Sequence, residues 1–173
     1  MTVLGAPAAI GVEAFDWPAI EGELDAQGSV VVGPLFTTEQ CRELREAYET
    51  ESLYRKRIVM ARHGFGSGEY QYYAYPLPRP IAELRTALYP HLAKVANRWN
   101  KALGLESSFP ADHETFKRRC HKAGQDKPTP LILRYAAGDF NCLHQDLYGE
   151  HVFPLQVAIL VSEPERDFTG GQF

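Results

Sequence analysis

Apolar positions follow two different spacings along this chain, and the change near Thr129 divides it into two parts. Before that point the helical period dominates. Ile81, Leu84, Leu88, Leu92, Val95, Trp99 and Leu103 step by three or four residues, which makes one apolar stripe of a long helix. Pro80 suits its first turn and Gly104 its end, while Pro90 inside it predicts a kink or two abutting helices. A shorter helix is predicted over 17–26, ended by Gly28. Another begins after Thr37, which with Gln40 matches a capping box. It buries Cys41, Leu44 and Tyr48 opposite a wet face of Arg42, Glu43, Arg45 and Glu46. A fourth runs over about 111–123 and ends on Lys117, Arg118, Arg119 and Lys122, cations that complement a helix C-terminus.

Shorter apolar runs read as strands. Residues 29–32 (SVVV) predict one, followed by a Gly33-Pro34 turn, and residues 58–60 predict another. Gly64, Gly66 and Gly68 then mark a loop without the strand-to-helix context of a phosphate cradle. Tyr70, Tyr72, Tyr73 and Tyr75 are either one aromatic face in the core or a wall beside a substrate pocket. Past Thr129, residues 131–135 predict a strand, 136–139 a turn and 140–144 the returning strand. Residues 153–161 (FPLQVAILV) predict a longer strand buried on both sides, 163–167 a charged turn, and 170–173 the start of one more strand. Helices first and antiparallel strands afterwards predict an α+β domain: a loose lead-in over 1–16 and one domain over 17–173.

Bulk properties narrow the function classes. The chain has 173 residues, 45% of them hydrophobic, and a net charge of -4. That charge argues against a nucleic-acid partner, which needs a basic face. No apolar run approaches the roughly 20 residues of a membrane span, and the N-terminus lacks the basic start of a secretory signal. Cys41, Cys120 and Cys142 are odd in number and scattered, so neither a disulfide framework nor a zinc cluster follows, and a cytoplasmic setting fits.

The residues that carry chemistry are His144-Gln145-Asp146. Two residues apart on a strand lie on one face, so the imidazole and the carboxylate are placed to share a metal ion. With a second histidine they would complete the two-His, one-carboxylate face of iron(II) oxygenases. H-x-D alone is a weak signal. Here it sits in RY-AAGDFNCLHQDLYGE, followed by the apolar run, the polar turn and GGQF.

That context resembles the prolyl-hydroxylase-like branch of the iron(II)/2-oxoglutarate dioxygenases, in particular bacterial members that share MARHGFGSGEY, AYPLP, LYP, NRWN and CLHQDLYGE. The resemblance implies a partial double-stranded β-helix (a jelly-roll, cupin-like sheet) backed by the N-terminal helices. It implies hydroxylation of a C–H bond coupled to decarboxylation of 2-oxoglutarate, with iron(II), 2-oxoglutarate and dioxygen required and ascorbate as an optional addition. His144 and Asp146 would ligate iron, and Tyr135 would contact 2-oxoglutarate or be an ordinary strand aromatic. Tyr148, Tyr73 and Gln145, with Asn141, are weaker candidates for substrate contact. The expected substrate is a small molecule or a peptidyl residue, not nucleic acid or membrane, and the oligomeric state is open. Members of that branch carry a second histidine and a 2-oxoglutarate-binding Arg or Lys further on, and neither occurs by Phe173. The expectation is therefore a domain incomplete at its C-terminus, inactive and poorly soluble alone. A scaffold completed by another chain is one alternative, and a cupin-like zinc or manganese enzyme is another.

Overall fold

The structure, a computed structural model, describes residues 11–147 and 149–171. Its first helix, α1 (Trp17–Gln27), is capped by Asp16, whose Oδ1 accepts from Ala19 N at 3.1 Å. Gly28 ends it in the left-handed conformation. The next, α2 (Thr38–Glu46), starts in the predicted capping box: Gln40 N donates to Thr37 Oγ1 and Thr37 N to Gln40 Oε1. The long helix α3 (Arg79–Ala102) is continuous through Pro90 as a single element. Asp112 caps α4 (His113–Lys122).

The strands are few and short. β1 (Tyr54–Val59), β3 (Glu69–Tyr73) and β4 (Leu131–Arg134) form an antiparallel sheet in the order β1-β3-β4. β2 (Gly66–Ser67) pairs antiparallel with β5 (Phe140–Asn141) as a second, two-stranded sheet. The architecture is mixed α+β with small antiparallel sheets.

Three expected strands do not form as predicted. Residues 29–32 are irregular and find no ladder partner among the described residues, with Val31 wholly exposed. Residues 153–161 have no strand partner among the described residues; Val157 and Leu160 are exposed, while Ile159 and Val161 turn inward. The strand expected over 140–144 stops at Asn141 and pairs with β2, not β4, so the anticipated hairpin is absent although the 136–139 turn is present. The start of a strand at 170–173 is not seen at Gly170 or Gly171, and the rest of that prediction lies outside the described residues.

One core joins the two halves. Val12, Leu35, Phe36, Leu44, Leu84 and Leu88 are buried together, with Phe15, Trp17, Ile81, Leu92, Ile159 and Val161 packed around them. Polar contacts fix α1 on α3: Trp99 Nε1 donates to Asp25 Oδ1 at 2.7 Å, and Arg98 bridges Glu21 and Asp25. A second cluster holds α4 to α3, where the Phe153 ring lies 4.9 Å from Phe109 and 5.4 Å from Tyr89. Phe153 thus anchors the chain that returns from the H-x-D loop. No helix among the described residues is long and apolar enough to cross a membrane.

Candidate metal centre

The loop that carries His144 hangs from the small β2–β5 sheet. Gly66 makes that sheet possible: its φ is +121°, and a Cβ there would lie 2.2 Å from the Phe140 carbonyl oxygen. Asp139 steadies the preceding turn, accepting from Ala136 N at 2.7 Å and from the Ser67 hydroxyl. Those two hydrogen bonds, the Ser67 one foremost, hold the Asp139 carboxyl below its usual range. Past the ladder, Cys142 N donates to the Phe65 carbonyl at 2.9 Å.

Cys142 then sets the histidine. Its carbonyl lies 2.7 Å from His144 Nδ1. A carbonyl can only accept, so Nδ1 donates to it and Nε2 is the nitrogen left to meet an ion. That Nε2 stands 3.5 Å from Asp146 Oδ1. Both can therefore close on one ion at the usual distances of about 2.0–2.2 Å. The other carboxylate oxygen, Oδ2, accepts from Gln156 Nε2 at 2.6 Å. Each donor is thus oriented by a neighbour through its far atom, the arrangement that tunes metal ligands. Both side chains are about half exposed, so the pair faces solvent.

The other candidates fare differently. Tyr73 is 2% exposed, its ring 5.0 Å from Tyr54, and burial pushes its hydroxyl far up. Of the two readings of the tyrosine cluster, Tyr73 takes the core one, because Gln71 and Tyr73 share the inward face of β3. Tyr135 follows β4 and lays its ring over Gly68, where a Cβ would meet ring carbon Cδ1 at 2.8 Å. Partial burial, then the charge of Asp139, raises its hydroxyl. Gln145 and Asn141 are exposed beside the pair. Tyr148 lies outside the described residues.

The remaining histidines have other work. His91 stacks on Trp17 at 3.9 Å, His63 on Phe65 at 5.3 Å, and His121 meets Tyr75 edge-on. His113 is packed by Tyr89, and burial first, then Arg85 and Lys117, lowers it to about 4. Among the described residues no group of three or more His, Cys, Asp or Glu side chains gathers to hold a metal. His144 and Asp146 are thus a two-donor candidate site that a metal would need a further donor to complete.

Sequence reasoning did not find Gln156. The signal was there: it is the lone polar residue in FPLQVAILV. It also missed Gln125, whose amide brackets the backbone of His151, accepting from its N–H at 2.8 Å and donating to its carbonyl at 3.2 Å.

A histidine and an aspartate brought together on a loop beside a small sheet make a candidate metal site, and comparison with known proteins names the family. Residues 68–173 match Oxygenase-NA, described as "oxygenase, catalysing oxidative methylation of damaged DNA". The chain belongs to that family. This corrects the expected prolyl-hydroxylase-like branch: the motifs quoted for it are an H-x-D pair and an apolar run, and none of them reads a substrate. Two uncharacterised proteins of Mycobacterium tuberculosis, Rv2227 of strain ATCC 25618 (H37Rv) and MT2286 of strain CDC 1551 (Oshkosh), are each 51% identical over 98 residues. Those residues are 57% of this chain, and the chain spans only 42% of each relative. No solved structure matches it significantly.

Proposed function

We propose that the protein is a non-haem iron(II) oxygenase that uses 2-oxoglutarate and dioxygen to oxidise a C–H bond. The observation that carries this reading is the 3.5 Å approach of His144 Nε2 to Asp146 Oδ1, each held from behind, by Cys142 and Gln156. When bound, the ion with its cosubstrate would supply the oxidising power. The chain's own work is to fix the imidazole tautomer, aim the carboxylate and leave the face between them open. The apolar run over 153–161, whose Gln156 reaches Asp146, and the Gly-Gly pair beyond it support a jelly-roll-type sheet as the finer fold. Tyr135, beside the turn that precedes β5, remains the candidate 2-oxoglutarate contact.

For substrate, the family's description makes damaged DNA the first to try. The expectation against nucleic acid rested on a net charge of -4, which is a property of the whole chain. Binding responds to local charge. The test is turnover: with iron(II) and 2-oxoglutarate, the protein should form succinate in step with oxidation of a methylated oligonucleotide. His144→Ala and Asp146→Ala should abolish both. Succinate formation that survives both substitutions would reject the pair as the iron site. Zinc or manganese supporting turnover where iron does not would favour the cupin-like alternative.

A further inference from the structure

We propose that one face of α4 is a phosphate-binding groove that seats a nucleic-acid strand beside the metal loop. The substrate class rests on the nucleic-acid reading above; the groove itself rests on geometry. Thr115, Arg118, Arg119 and Lys122 follow the spacing that puts residues on one side of a helix. They line an open groove of about 690 Å³ whose other wall is Glu150 and His151.

Helix-end electrostatics alone does not account for these cations. The last carbonyls of α4 are already taken by backbone: Ala123 N donates to Arg119 O, Gly124 N to His121 O and Gln125 N to Cys120 O. Arg118 lies a full turn before the end, and Arg119 points back to Ser108 O at 2.6 Å. Lys117, outside the groove, is paired with Glu114 at 2.6 Å. Among the described residues, Arg118 and Lys122 make no ion pair with a carboxylate; Arg118 donates only to the Thr115 hydroxyl, at 3.0 Å. Asp112 and Glu114 offset part of the Arg118 charge through space and Glu150 lines the opposite wall, yet neither Arg118 nor Lys122 is ion-paired among the described residues, and two such cations facing an open groove attract anions.

The shape favours a strand over a single anion. From Thr115 to Lys122 the helix advances roughly 10 Å at about 1.5 Å per residue. A nucleic-acid strand carries one charge per ~3.4 Å, so several phosphates fit along that length. The groove's second wall, Glu150 and His151, follows His144 and Asp146 closely in the chain. Gln125, just past α4, clasps His151, and Gly149 (φ +80°) lets the backbone in, since a Cβ there would lie 2.4 Å from Gln125 Cδ. A strand lying on α4 would therefore run past the loop that bears His144 and Asp146.

The experiment is a salt titration of the protein binding a short fluorescent single-stranded oligonucleotide, read by anisotropy. R118E/K122E should weaken binding at least tenfold. It should also flatten the log K against log salt slope by about 1.4, two contacts at roughly 0.7 each. E150K should tighten binding; it adds charge without touching α4, so it serves if the double variant misfolds. Iron(II) titration should be unchanged in both, whereas His144→Ala should lose iron and keep the oligonucleotide. Wild-type binding by both charge variants, or no salt-dependent binding at all, overturns the groove even where iron binds. A nucleoside monophosphate that competes as well as the strand, at equal phosphate, overturns the strand and assigns a single-anion site. Loss of iron binding alone would defeat the oxygenase reading and leave the groove standing.

Discussion

His144 offers Nε2 because a backbone carbonyl occupies its other nitrogen, and Asp146 offers Oδ1 because an amide occupies its other oxygen. The first of these restraints is independent of side-chain identity; the second depends on Gln156. Gln156→Leu keeps the volume and removes the donor, and we expect it to weaken iron(II) binding about 10- to 100-fold, the usual cost of losing an outer partner. Calorimetric or fluorescence titration checks this, and an unchanged affinity would show that Asp146 is aimed by something else. The approach of His144 to Asp146 was legible in the sequence because H-x-D is a local pattern, although the strand expected to carry it ends at Asn141. Gln156 was not, because the run around it reads as an apolar strand and its partner lies on a different loop.

Among the elements, β2 and β5 carry the most consequence for their size. Gly66→Ala forces a side chain into a left-handed φ, costing about 1–3 kcal/mol, and drives a Cβ onto the Phe140 carbonyl. Thermal melting should drop by several degrees and iron affinity should fall together with it. Thr37→Ala is the contrasting case: losing its cap costs about 1 kcal/mol, yet α2 is remote from the ladder, so iron affinity should hold. A Gly66→Ala protein that melts lower but binds iron normally would uncouple the ladder from the site. Helices were read well, since capping at Asp16 and Thr37 and the stripe of α3 are written locally. Strands were read in part, at β1, β3 and β4, but their pairing was not, because apolar alternation says a segment is extended and not what it pairs with. Residues 131–144 look like a hairpin, yet β4 joins β3 and β5 joins β2.

Over the whole molecule, two properties bear on stability. His113 is the first. Burial and the nearby Arg85 and Lys117 lower it to about 4 from an ordinary 6.5, so the fold favours the neutral ring. Above 6.5 both folded and unfolded chains carry it neutral. Between 6.5 and 4 the unfolded chain takes up a proton that the folded one resists, and stability falls with pH across that window. His113→Phe should flatten this fall in denaturant melts at stepped pH; an unaltered slope would assign it to other groups. The second is apolar surface: Leu143, Leu147, Val157 and Leu160 are all exposed along the segment that carries the site. Such patches promote association. Leu160→Gln combined with Val157→Thr should reduce light scattering on concentration while leaving the far-ultraviolet spectrum unchanged.

The ladder that suspends the loop bearing His144 and Asp146 pairs Gly66 with Asn141 and Ser67 with Phe140, and nothing more. So short a ladder should breathe far more often than the three-stranded sheet. Each opening would release the Cys142 amide from Phe65 and leave His144 unmoored. Deuterium should therefore enter at Cys142 much sooner than along Tyr70–Tyr72, and a bound ferrous ion should slow that entry most where the breathing is greatest.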